Sequence, residues 1–356
     1  MILVYPAKLL IKALKSSDYI YICSLMDGSM RILVANNHLQ RTGGTENYTY
    51  ALALELKRCG HEVEYFTFEK GAVSDLLESL GVPFMSSRKY DLILANHNTC
   101  VRKLYKRGFT IQTSHGTIPE LERPTSKADL FVSVTEEIRA HILKTKGYKS
   151  DVVLNGIDCR RFSPQRQISE KLSCVLSLSQ SEELNAFIAE CCSEMGVRFI
   201  SGNKNTDNIW KIEDRINEAD LVVGIGRSLY DAMACGRCVL SYDRRWYMGD
   251  EIGDGYLTAE NIGKAIFWNC SGRGHRKTFD KDGFIKELQK YDPADGQWAR
   301  EYALENLNVE RAAQRYIDIY RKNFDKRTGL TIYRLFHHVE MFFAKLGCRI
   351  KGACKR

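Results

Sequence analysis

Two successive series of short apolar runs, each separated by segments of helical pattern, are the feature that most restricts what this chain can fold into. The first opens at Arg31, with a strand over Ile32 to Ala35, a helix over Thr45 to Arg58 that Gly60 stops, and a strand over Val63 to Phe68. Further strands are expected at Leu92 to Ala95, Thr110 to Thr113, Leu130 to Val134 and Val152 to Leu154, with a helix over Thr135 to Lys146. The second series follows Phe162-Ser163-Pro164. It reads as strand Cys174 to Leu178, helix Glu182 to Met195, strand Val197 to Ile200, helix Ile209 to Ala219, strand Leu221 to Val223, helix Arg227 to Cys235 and strand Cys238 to Tyr242. Helices then predominate, at Ala259 to Trp268, Gly283 to Lys290, Ala294 to Leu304 and Val309 to Asn323. Strands alternating with helices build parallel sheets covered on both faces. The pattern therefore predicts an α/β protein of two doubly wound domains, 30–160 and 161–325, facing each other across a cleft, and sheets of this kind bind ligands beyond the carboxyl ends of their strands.

A chain of 356 residues with 44% hydrophobic and 27% charged residues has the size and composition of a globular protein with two cores. Its 12 cysteines follow no repeating spacing, which argues against a disulfide framework or a zinc site and for a reducing cytoplasm. The pair Cys235 and Cys238, at a helix end and a strand start, is expected to be buried and free. No apolar run approaches the ~20 residues of a spanning helix. Residues 1–29 form an extension ahead of the first strand and lack the small-residue cleavage site of a signal peptide. Most of the net charge of +8 sits in the tail 326–356, where eight Lys or Arg face the single Glu340. There Leu335, Phe336, Val339, Phe342, Phe343 and Leu346 fall three or four apart, as in a basic amphipathic helix. Such a helix either lies on an anionic membrane surface, here the inner face, or packs on the protein's own core or a partner subunit. The basic run Arg102 to Arg107 reads as a solvated face, and no nucleic-acid partner is expected.

The stretch Leu221 to Gly236, LVVGIGRSLYDAMACG, runs a strand into Gly224 and Gly226 and then into a helix beginning at Arg227 and Ser228. A helix start of this kind offers backbone N–H groups and a positive dipole end to an anion, so a phosphate is the natural ligand. A dinucleotide fingerprint would place a third glycine at residue 229, which is Leu229. After the first strand, Gly43 and Gly44 precede Thr45, Glu46 and the first helix, and paired glycines allow a ligand close to the backbone. His115 ends another strand, where it could donate to a sugar hydroxyl or a developing charge. Asn155-Gly156-Ile157-Asp158 joins the two series, with Phe162 and Pro164 following.

Taken in order, GGTE after the first strand, the strand-end histidine, NGID with F-x-P, and GIGRSLYDAMACG resemble the GT-B glycosyltransferases of family four, over roughly Arg31 to Asn323. The resemblance implies two Rossmann-like domains and retaining transfer of a sugar from a nucleotide diphosphate sugar to a glycan or lipid-linked acceptor, without metal or other cofactor. It implies that Gly224, Gly226 and Ser228 bind the donor, that Arg227 stabilises the leaving diphosphate, that Asp231 holds the ribose, that Gly43 and Gly44 admit donor phosphate or acceptor, and that His115 contacts the sugar. Asp280-Lys281-Asp282 is expected to be a surface loop and not a metal clamp.

The chain departs from the family's pattern at two places. Of the Glu-x₇-Glu pair, Val223 and Asp231 stand in the two positions, and the family's Arg with a downstream Lys is replaced within Leu176 to Ser181. Diphosphate neutralisation then falls to Arg227, with Lys204 or Arg41 as lesser candidates. The stretches Gly253-Asp254-Gly255 and Ser271-Gly272-Arg273 resemble a divergent branch of the same enzymes, and the departures fit either that branch or a relative that binds without catalysing. Two other classes stay open. A nucleotide-sugar epimerase would need acids and bases in the cleft beyond His115, and an NAD-linked oxidoreductase would need the absent third glycine.

Overall fold

The first sheet is wholly parallel. β1 (Arg31–Ala35) leads to α1 (Gly44–Arg58), β2 (Glu62–Phe66), α2 (Ala72–Ser79), β3 (Leu92–Ala95), α3 (Asn98–Leu104), β4 (Phe109–Ser114), β5 (Leu130–Ser133), α4 (Glu136–Lys146) and β6 (Asp151–Val152), with strand order β2-β1-β3-β4-β5-β6. Ile32 to Ala35 and Leu92 to Ala95 are all buried, as strands covered on both faces must be. Helix α1 carries Glu46 in its first turn and Lys57 and Arg58 in its last, each suited to the dipole end it faces. Helix α4 begins where the Thr135 side chain accepts from the Ile138 amide, and it stops at left-handed Gly147.

The second sheet repeats the plan with one antiparallel edge. It contains β7 (Cys174–Ser177), α5 (Glu182–Glu194), β8 (Arg198–Ser201), α6 (Ile212–Glu218), β9 (Leu221–Gly224), α7 (Arg227–Ala234), β10 (Cys238–Asp243) and β11 (Ile252–Tyr256), in strand order β11-β10-β9-β7-β8. Helices α8 (Ile262–Phe267), α9 (Lys281–Leu288) and α10 (Pro293–Tyr302) follow, then a π turn at Ala303–Leu307 and α11 (309–324). The structure, a computed structural model, describes residues 28–203, 211–244, 249 and 251–324. Most of the extension 1–29, the tail from 326 with its amphipathic segment, and Lys204 lie outside those residues. The chain divides into two units, Met1–Ala313 and Gln314–Arg356, and both sheets belong to the first.

Two elements differ from expectation. Strand β11 has no counterpart in the apolar pattern, because its sequence IGDGY carries two glycines and an aspartate and becomes a strand only by pairing antiparallel with β10. Asp280-Lys281-Asp282 is not a loop. The Asp280 side chain accepts from the Gly283 amide and caps α9, with Lys281 and Asp282 in its first turn. Cys235 and Cys238 are buried free thiols, both pushed up to about 12 by burial, so they stay protonated and unreactive. Among the described residues no helix is long and apolar enough to cross a membrane.

Asp220, wholly buried ahead of β9, ties the segment entering the second sheet to that sheet. Its carboxylate accepts from the amides of Ser169 (3.0 Å), Ser173 (3.1 Å) and Cys174 (3.1 Å), from Ser173 Oγ (2.6 Å) and from Arg166 Nη2 (3.0 Å). Those donors outweigh burial and hold the carboxyl down at about 2. Asp220→Ala should cost about 3 kcal/mol, because it strands buried donors. A carboxylate lowered in the folded state adds stability that is present above its unfolded pKa and lost as pH falls towards its folded value. Urea unfolding at pH 7 and pH 3 should therefore show the gap between variant and wild type shrinking at the acid end; an unchanged gap would remove the ionised carboxylate from the account. Arg237 of the ACGR stretch is equally structural, its buried guanidinium donating to the carbonyls of Cys235, Ala219 and Arg166.

Candidate functional site

In each sheet the chain leaves the first strand in both directions: β1 lies between β2 and β3, and β7 between β8 and β9. These are the switch points beyond whose carboxyl ends α/β sheets take ligands. A cavity of about 600 Å³ opens there. Gly44, Thr45 and His115 line it from the first sheet's side, Gly226 and Arg227 from the second, and Asn155 between them.

His115 is held by a directed chain of hydrogen bonds. Thr49 Oγ1 donates to Thr45 O (2.7 Å), so it accepts from Asn96 Nδ2 (2.7 Å), which turns Asn96 Oδ1 towards His115 Nε2 at 3.2 Å. In that arrangement Nε2 carries the proton and Nδ1 is the acceptor. Burial, reinforced by neighbouring His97, pushes the imidazole down to about 3, so at neutral pH the ring is neutral and supplies no imidazolium to act as an acid. The donor role expected of His115 narrows accordingly: Nε2–H is committed to Asn96, and the ring also makes a side-chain hydrogen bond with Asn155, which lines the same cavity.

Beside it stands a group of titratable side chains, of which sequence patterns singled out only Glu46. Glu122 lines the cavity, closes a single 3-10 turn, Glu120–Glu122, and accepts from the His115 amide at 2.7 Å. His97 Nδ1 accepts from the Asn37 amide (3.1 Å), leaving Nε2 towards Glu122 Oε1 at 3.7 Å. Burial raises the Glu122 carboxyl to about 8 and lowers His97 to about 4, so both are uncharged at neutral pH. Glu46, also buried, pairs with His38 Nδ1 at 2.7 Å. Gly43 does not line the cavity. It precedes α1, where a Cβ would fall 2.2 Å from the Glu46 carboxylate, so glycine leaves room for Glu46 to fold over the helix start.

On the opposite wall, Gly226 adopts φ 60°, a conformation natural to glycine, and turns the chain from β9 into α7. Its N–H donates to Cys270 O at 3.1 Å and is therefore not offered to a ligand, contrary to the expectation for this turn. Leu229 and Tyr230 donate back to Gly226 O, so the amides of Arg227 and Ser228 head the helix. The Arg227 side chain reaches the cavity, anchored by Nη1 on Gly156 O at 3.0 Å, with Nε 3.7 Å from Asp231 Oδ1 and making no hydrogen bond. Asp231 does not line the cavity. It lies buried one turn along α7, and burial, opposed by Arg227 and Arg161, raises its carboxyl to about 6. Gly224 is buried in β9 opposite Ser241, and Ser228 stands half-buried in the first turn of α7; neither lines the cavity. Of the expected residues, the cavity thus gathers Gly44, His115, Gly226 and Arg227. Among the described residues no group of three or more His, Cys, Asp or Glu could hold a metal ion.

No protein-family model matches the sequence, nor does any curated protein. Solved structures do match it. A glycosyltransferase from Rickettsia africae ESF-5 superposes with a TM-score of 0.55 at 13% identity, covering 83% of this chain and 99% of that one. An alpha-glucosyltransferase in complex with UDP and a 13-mer DNA containing an HMU base gives 0.51 at 11% identity, covering 83% of this chain and 100% of the other. The fold is GT-B. A UDP-GlcNAc 2-epimerase from Neisseria meningitidis bound to UDP-GlcNAc also matches, with a TM-score of 0.49 at 12% identity over 82% of this chain and 100% of that one. At such identities the likeness is one of fold, and the GT-B cleft is where the cavity described above lies.

Proposed function

We propose that this GT-B chain is a nucleotide-sugar glycosyltransferase that moves a sugar, with retention of configuration, to a glycan or lipid-linked acceptor. The observation that carries the reading is one cavity with a helix-head arginine on one wall and a hydrogen-bonded histidine on the other. When the bond between sugar and diphosphate breaks, negative charge grows on the leaving phosphate, and Arg227 with the amides at the head of α7 is placed to stabilise it. His115, together with Asn155 beside it on the cavity, orients the sugar hydroxyls of the donor; it transfers no proton. Asp231 orients the Arg227 guanidinium in this form, and the ribose contact expected of it requires the arginine to move towards the phosphates. Gly44 lets the ligand approach the start of α1. The leaving phosphate helps to deprotonate the acceptor, as the resemblance implies, so no protein nucleophile is needed.

A second reading, a nucleotide-sugar epimerase, is favoured by the carboxyl and imidazole groups beyond His115, above all Glu122 on the cavity wall. The two readings part on products. A nucleotide sugar incubated with candidate acceptors, followed by NMR of the products, should yield a free nucleoside diphosphate and a glycoside of unchanged anomeric configuration only when acceptor is present. An isomerised nucleotide sugar formed without acceptor would overturn the transferase.

A further inference from the structure

The loop after α8 brings a second cation to the Arg227 wall. Asn269, Ser271 and Arg273 all line the cavity. The loop is held rigidly: Asp254, wholly buried in β11, accepts from the Gly272 amide at 3.0 Å and the His275 amide at 2.9 Å, and Cys270 O takes the Gly226 N–H. Asn269 (φ 58°) and Cys270 (φ 45°) sit in the left-handed region, which side-chain-bearing residues avoid and which persists where surrounding contacts over-determine it. Within this frame two buried polar atoms have no partner, Ser271 Oγ and Arg273 Nε, and Arg227 Nε makes no hydrogen bond either. Ser271 is 6% exposed and lines the cavity. Ser271 Oγ and Arg273 Nε are buried donors without a partner on residues that line the cavity, a cost unless something fills them, and with the Arg227 guanidinium on the same wall they suit an anion with several acceptor oxygens.

Arg273 is not idle in this form. Its Nη2 donates to Glu137 Oε2 at 2.6 Å, and Glu137, in the first turn of α4, also lines the cavity but belongs to the first sheet's side. The ion pair therefore spans the cleft.

Resting on the donor reading above, we infer that Ser271 and Arg273 form, with Arg227, the seat of the donor's diphosphate, and that Glu137 occupies Arg273 as a carboxylate stand-in until the diphosphate displaces it. Glu137 is a competitor for the ligand, so removing its charge tightens binding. A purely structural brace behaves in the opposite way, because its loss loosens the site.

The test is calorimetric titration of the full chain with UDP, GDP, dTDP and ADP, the matching nucleosides, and inorganic pyrophosphate, on wild type, Glu137→Gln, Arg273→Gln and Ser271→Ala. The expected result is binding of one nucleoside diphosphate and of pyrophosphate that is tightened about 3- to 10-fold in Glu137→Gln, weakened 10-fold or more in Arg273→Gln and weakened less in Ser271→Ala, with nucleoside binding unchanged throughout. The gain in Glu137→Gln cannot come from misfolding. Diphosphate binding unchanged in Arg273→Gln, or weakened in Glu137→Gln, overturns the inference and leaves the donor reading standing. Pyrophosphate binding that depends on Arg273 without any nucleoside diphosphate binding overturns the donor reading and leaves the anion seat. If neither ligand binds, both fall.

Discussion

Arg227→Met is expected to weaken binding of the donor's nucleoside diphosphate about a hundredfold, the equivalent of about 2.7 kcal/mol for losing a charge-assisted contact to phosphate. Part of the loss comes through the fold, because Asp231 stays buried without the guanidinium that offsets its burial. Asp231 limits that cost by taking a proton. Its carboxyl already stands at about 6 with Arg227 present, and removing the arginine pushes it higher, so the variant's instability should grow as the pH is raised above neutrality. Arg227→Met combined with Asp231→Asn should recover that stability and none of the binding. Recovery of both would mean that the arginine serves the packing of α7 and not the ligand.

Glu122→Gln is expected to stabilise the protein by about 2 to 4 kcal/mol at pH 8, from a carboxyl that folding holds well above its unfolded range. The sign follows from linkage. A carboxyl raised to about 8 in the folded state contributes stability that is complete below its unfolded pKa and is lost as pH climbs through the folded one. Wild type should weaken along that limb. The Glu122→Gln variant, whose amide oxygen keeps the acceptor for the His115 N–H, should not. His97 and His115 act in the other direction: both are lowered in the folded state, to about 4 and about 3, so their contribution is present above their unfolded pKa and lost as the solution is acidified. The acid limb of the stability profile should therefore be shared by wild type and variant. Urea unfolding of both between pH 4 and pH 9 checks this. Parallel curves between about pH 5 and pH 8 would mean that Glu122 is ionised in the folded protein throughout that range.

The doubly wound plan could be read from the chain because its strands are buried on both faces: Ile32 to Ala35, Leu92 to Ala95 and Leu221 to Val223 are apolar without interruption, and helix signals such as Thr135 and Gly147 sit at the ends they control. Strand β11 could not, since its two glycines carry no strand preference and its pairing is set by β10. The site divides along the same line. Gly44, His115, Gly226 and Arg227 follow strands whose ends are marked by local sequence, and all reach the cavity. Gly43, Gly224, Ser228 and Asp231 belong to the same stretches yet shape or back the wall, because which side of a turn faces the cleft depends on packing that the stretch does not encode. Glu122, Glu137, Ser271 and Arg273 come from a 3-10 turn, a helix start and a loop without periodicity, and only the closing of the two sheets on each other brings them to one place. The one local hint was Ser271-Gly272-Arg273, a short polar stretch around a glycine beside the second sheet.

The central claim is that the cavity holds a nucleotide diphosphate sugar through Arg227. The most direct measurement is a thermal-shift panel of UDP, GDP, dTDP, ADP and NAD, without added metal, on wild type and Arg227→Met. A ligand at ~100 times its dissociation constant adds ~2.7 kcal/mol, enough to raise the midpoint by several degrees. We expect one nucleoside diphosphate to stabilise the wild type and not the variant, and NAD to stabilise neither. No shift of the wild type by any nucleoside diphosphate at millimolar concentration, or an equal shift in both proteins, would contradict it.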